Sequence, residues 1–112
     1  MDNIDMNVSL SPHQAADIVT SAVTQGSLSA ELVDSYTADG NGVTCVTLVF
    51  DKYFMRNSSR ASLSVTIENL KGFTHVHAAG SGGGQGALWN FDWGAGSRFT
   101  RDVADALAQY QL

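Results

Sequence analysis

Five of the seven residues from Gly80 to Gly86 are glycine, and such a run can turn several backbone N–H groups toward one anion. A Walker loop would place Lys and Ser or Thr after its last glycine, but Ala87 follows Gly86. The dinucleotide fingerprint also fails, because Gln85 stands where Gly80-x-Gly82-x-x requires a glycine. The plain alternative is a flexible hairpin connection, although the surplus glycine implies close approach of a ligand or of another stretch of backbone. Lys52, Arg56 and Arg60 are three of only six basic residues and fall within nine positions. Placed beside the glycine run, they would complete an anion site from Arg56, Arg60, Gly82, Gly83, Gly84 and Gln85, in which arginine supplies a bidentate fork. Placed apart from it, they are a solvated turn on an acidic chain.

His75 and His77 lie two apart, so on a strand both point to one side, a legitimate metal-ligand geometry. A metal-dependent enzyme would need a third ligand, and no spacing selects one among His13 and the eleven carboxylates. Without it the pair are polar strand residues, and no metal or cofactor is assigned. Trp89, Phe91 and Trp93 alternate, which suits a stacking platform for a flat ligand, a dimer interface or core packing. Cys45 sits among Val43, Thr44, Val46 and Thr47 with no basic neighbour to lower its pKa, and reads as a small buried hydrophobe. No nucleophile has an evident base.

The elements that must position these residues follow from periodicity. Ile4, Met6, Val8 and Leu10 alternate with polar residues and predict a half-buried strand. Ser11, Pro12 and Gln14 make a capping box with proline at the first helical position. Ala15, Ile18, Val19, Ala22 and Val23 form one helical face, and Gly26 supplies a left-handed stop. Leu28 to Ala38 predicts a strand with Leu28, Ala30 and Leu32 on one face, and Asp39-Gly40-Asn41-Gly42 a turn. Val43 to Phe54 is apolar on both faces and belongs centrally in a sheet. Ala61, Leu63, Val65 and Ile67 alternate cleanly with polar residues, Asn69 to Gly72 turns the chain, and Phe73 to Ala79 is a further strand. The segment from Gly80 to Gly86 is loop, Ala87 to Trp93 a last strand, and Ser97 the cap of a final helix carrying Phe99, Val103, Ala106, Leu107 and Tyr110.

The order β-α-β5-α with short connections predicts one α+β domain over residues 1–112. It is a two-layer sandwich in which one antiparallel sheet of five to six strands carries two helices on one face. The arrangement is analogous to the helix-grip and TATA-binding-protein-like topologies, an analogy that assigns no function.

Composition bounds the function. The 112 residues are 44% hydrophobic and 15% charged, proportions of a folding chain. A net charge of −5 argues against a nucleic-acid partner. No apolar run is long enough to span a membrane, the N-terminus lacks a basic, apolar leader, and a single cysteine forms no internal disulfide. These features lead us to expect a cytoplasmic protein. The segments Arg56-Asn57-Ser58-Ser59-Arg60-Ala61-Ser62-Leu63, Gly80-Ser81-Gly82-Gly83-Gly84-Gln85-Gly86 and Phe91-Asp92-Trp93-Gly94 together resemble a family of small uncharacterised bacterial proteins, a domain of unknown function. The resemblance implies a small intracellular bacterial protein and carries over no catalytic residue. The expected function is a non-catalytic binding module for a small anionic or amphipathic ligand. The alternatives are a self-associating, homodimeric interaction protein and a metal-dependent enzyme using His75 and His77.

Overall fold

The computed structural model describes residues 2–55, 58–82 and 95–112. Strand β1 (Asp2–Val8) leads into helix α1 (Pro12–Thr24), followed by β2 (Glu31–Gly40), β3 (Val43–Phe54), β4 (Ser59–Glu68), β5 (Thr74–Gly82) and helix α2 (Ala95–Leu107). The strands form one fully antiparallel sheet in the order β1-β5-β4-β3-β2. Among the described residues the sheet therefore has five strands, and the expected strand at Ala87 to Trp93 lies outside them. Its neighbours in sequence pair as hairpins except β1, which joins β5 at the far edge. No helix among the described residues is long and apolar enough to cross a membrane.

Local signals set most of these elements. The Ser11 Oγ accepts from the Gln14 backbone N–H at 3.2 Å while Gln14 Oε1 accepts from the Ser11 N–H at 3.0 Å, the reciprocal cap that the sequence predicts. Between β2 and β3, Asn41 and Gly42 both have positive φ, 53° and 79°. That is the backbone twist a two-residue hairpin requires. The Thr44 hydroxyl donates to Asp39 across this turn at 2.6 Å.

Cross-strand register assembles the core. Met6, Val76, Ile67 and Val46 form one row across four strands, and Ile4, Ala78, Val65 and Leu48 form the next. On the same face Phe50 stands opposite Leu63. The stripe of α1 (Ala15, Val19 and Val23) and that of α2 (Phe99, Val103 and Leu107) are buried in the same core. Each large side chain so buried contributes about 1.5 to 3 kcal/mol. Among the described residues the opposite face of the sheet has no helix, and it carries mainly polar side chains, the usual partition for an antiparallel sheet.

Several expectations fail in informative ways. Leu28 and Ala30 are buried but precede β2, and all ten residues of β2 are exposed because it is an edge strand. β3 is interior but not central. β4 holds the centre, and the second face of β3 presents Cys45, Thr47, Val49 and Asp51 at intermediate exposure. Gly26 follows the Gln25 cap without a left-handed φ. Its role is steric, since a Cβ there would lie 2.3 Å from the Ala22 carbonyl oxygen and 2.8 Å from the Asp102 carboxylate of α2. α2 starts at Ala95, so Ser97 lies in its first turn and does not precede it.

Gly80, Ser81 and Gly82 are strand, not loop, and pair with Leu63, Ser62 and Ala61. The reason is contact with α2. A Cβ on Gly80 would lie 2.6 Å from the Gly96 carbonyl oxygen, and one on Gly96 would lie 3.0 Å from the Gly80 carbonyl oxygen. Two glycines let strand and helix backbones touch here, so at this position another part of the backbone accounts for the glycine.

Candidate functional site

The sheet face opposite the two helices is built from the outward-pointing residues of each strand. On β1 these are Asn3, Asp5 and Asn7, and on β5 they include His75 and His77, opposite Asn7 and Asp5 in the register. The pairing brings together side chains about 70 residues apart. Asp5 Oδ1 accepts from His75 Nε2 and from His77 Nδ1, each at 2.8 Å. His75 Nδ1 also faces Asn7 Oδ1 at 2.6 Å. Both ring nitrogens of His75 are donors together only in the protonated ring. In the neutral ring the Asn7 amide must turn its NH2 toward Nδ1. The hydrogen bonds from His75 and then His77 hold the Asp5 carboxyl below its ordinary pKa, against a smaller desolvation effect that raises it.

His75 also lines a cavity of about 200 Å³ together with Asn7, Glu68, Lys71 and Phe73. The turn from β4 to β5 builds its far wall. Gly72 takes a φ of 90°, and Glu68 Oε1 accepts from the Leu70 N–H at 2.8 Å. Glu68 is the register partner of His75 on β4, so the cavity spans β1, β5, β4 and their turn. It offers one ammonium, one carboxylate, one imidazole and a partly exposed aromatic ring.

The structure places His75 and His77 on one side of β5, as their spacing predicts, but both are hydrogen-bonded to Asp5. Among the described residues no three His, Cys, Asp or Glu are arranged to hold a metal ion. Cys45 is a free thiol at intermediate exposure on the open face, less buried than expected.

Of the residues proposed for an anion site, Arg56, Gly83, Gly84 and Gln85 lie outside the described residues. Arg60 and Gly82 do fall at one end of the sheet, since Gly82 pairs with Ala61. The Arg60 guanidinium is ion-paired with Asp51. Arg60 and Glu68 lie eight residue steps apart along β4, roughly 26 Å at the rise of a strand. The two candidate positions are therefore distinct.

Asp5, Asn7, Glu68, Lys71 and Phe73 carry no spacing signal that marks them as a site in the sequence. The alternation of polar residues along β1 marks an open face, but nothing local reveals that β1 pairs with β5.

No curated protein and no solved structure matches the chain. A family model covers residues 1–111, and by that match the chain belongs to DUF6054, a family of unknown function.

Proposed function

We propose that this protein is a non-catalytic binding module, and that its ligand is a small amphipathic molecule with a single anionic group. The observation that carries this reading is the cavity at the β4–β5 turn, where Lys71, His75 and the Phe73 ring surround about 200 Å³ beside Glu68. Lys71 supplies the charge for an anionic group and Phe73 a surface for an apolar part. The Glu68 carboxylate disfavours a polyanion and favours a ligand that turns a donor or an uncharged edge toward it. Cavities for drug-sized ligands run from about 300 Å³ upward, so this one suits a molecule of few atoms. Binding is favoured over turnover because the described lining of the cavity offers no hydroxyl or thiol nucleophile for His75 to activate.

The test is an NMR titration with three probes: phenylacetate, phenethylamine and inorganic phosphate. Phenylacetate is expected to move the imidazole resonances of His75, and Lys71→Ala or Phe73→Ala to abolish the effect. Phenethylamine is expected to leave them unmoved. No response at about 10 mM, well above a millimolar Kd, overturns the binding reading. A response to phosphate confined to Arg60 and Gly82 overturns the placement and moves the site to the other end of the sheet.

A further inference from the structure

The β2 edge points to a second recognition surface, and we propose that it accepts an extended, cationic peptide segment of a partner protein as an added sixth strand. Every residue of β2 from Glu31 to Gly40 is exposed, and among the described residues its outer edge has no neighbour in the sheet. An open edge offers backbone donors and acceptors to an incoming strand. A bulge between Leu32 and Asp34 interrupts the register, so the regular stretch runs from Asp34 to Gly40, enough for a six- or seven-residue segment. Beside this stretch, between α1 and the inner face of β2, lies a groove of about 440 Å³ whose lining includes Asp17, Ser21 and Gln25 from α1 and Leu32, Ser35 and Thr37 from β2. Alternate side chains of an added strand would enter that groove, since successive residues point to opposite faces.

Charge selects the occupant. β2 carries Glu31, Asp34 and Asp39 and no Lys or Arg, and Asp17 adds a fourth carboxylate across the groove. The basic group recorded near Asp39 is His13, with its Nε2 at 3.8 Å and charged only when protonated. A second copy of β2 is poorly suited to this edge. It would bring a further Glu31, Asp34 and Asp39 and no Lys or Arg to an edge that already carries the same three carboxylates, so the pairing adds only like charge. A strand bearing Lys or Arg meets the same carboxylates favourably, while Leu32 and Tyr36, both exposed, remain for its apolar positions.

The experiment uses the full chain and a capped heptapeptide of alternating Lys and Val, with the Glu-for-Lys peptide as control. Backbone resonances and amide exchange of the 15N-labelled protein are followed. The lysine peptide is expected to slow exchange at alternate residues between Asp34 and Gly40, and binding is expected to weaken as salt is raised. Replacing Asp34 and Asp39 by Lys is expected to weaken binding at least tenfold with the circular dichroism spectrum unchanged. Methylating alternate peptide nitrogens is expected to abolish binding in one of the two phases only, a control that leaves the protein untouched. Binding that survives both methylation phases, equal binding of the glutamate peptide, or perturbation that spares β2 and the facing side of α1 overturns the proposal. Protection of β2 that rises with protein concentration without peptide also overturns it, because a second copy would then own the edge.

Discussion

Replacing Gly80 with alanine would set a Cβ 2.6 Å from the Gly96 carbonyl oxygen and 2.9 Å from its Cα. Real Cβ atoms do not approach backbone so closely, and backbone, unlike the end of a flexible side chain, yields only if α2 moves away from β5. Overpacking a well-filled core costs about 1 to 3 kcal/mol. A rigid helix as the obstacle places Gly80→Ala at the upper end, about 2 to 3 kcal/mol. A chain of this length unfolds with an entropy near 2.1 cal/mol/K per residue, so each kcal/mol is worth about 4 °C in Tm. The expected loss is thus roughly 8 to 13 °C, read by calorimetry or by circular dichroism on heating, with urea unfolding as the isothermal check. Gly40→Ala is the control, because a Cβ there meets nothing within 4 Å and its φ is not left-handed. It should change stability by less than about 1 kcal/mol. Gly96→Ala should be destabilising too, and the Gly80→Ala/Gly96→Ala double variant should cost less than the two singles added, since both open one gap. A Gly80→Ala variant within about 0.5 kcal/mol of the parent, or strict additivity in the double, would refute the backbone-contact explanation for this glycine pair.

Two further outcomes follow from side chains. Ser11→Ala removes the acceptor of the capping box and should lower stability by about 1 kcal/mol in urea unfolding, and Ser11→Asp should recover most of it. Asp5 has a depressed folded pKa, so its stabilising effect is present above the ordinary aspartate range and lost as pH falls through the folded value. The stability gap between the parent and Asp5→Asn should therefore be open at about pH 5 and close below about pH 4, measured as urea midpoints across that range. A gap that widens on acidification would show that the two histidines do not hold Asp5 ionised.

What was legible in the sequence was what neighbours decide. The cap at Ser11, the alternation from Ala61 to Ile67 and the positive-φ turn at Asn41-Gly42 each depend on residues within one turn or one strand, and all three stand as read. The α+β class follows from their sum. The misreadings share one origin. Gly80 and Gly82 have the composition of a loop, and only the helix that meets Gly80 from sixteen residues onward makes strand the better state. Leu28 and Ala30 look like strand residues because burial and alternation coincide by chance before the strand begins. Leu32 looks internal because the sequence does not announce that β2 is an edge. The candidate site was half visible. The two histidines and their shared side could be read off their spacing, but their hydrogen-bond partner on β1 could not, because a pairing that spans the chain leaves no local trace.

That same pairing divides the fold by how its parts come together. β2, β3, β4 and β5 are successive hairpins, each closable across a short connection. β1 reaches β5 only after some 70 intervening residues are brought into place, and the Asp5–His77 contact alone spans 72. Closing a loop of that length costs about 2 kcal/mol more chain entropy than closing a five-residue turn. The cavity wall that Asn7 contributes exists only on the joined side of this seam. A ligand that touches β1 and β5 together therefore binds the closed form and not the form in which β1 has come away. By mass action such a ligand favours closure of the seam, with the largest change in amide exchange at Asp2–Val8 and little at the β3–β4 hairpin.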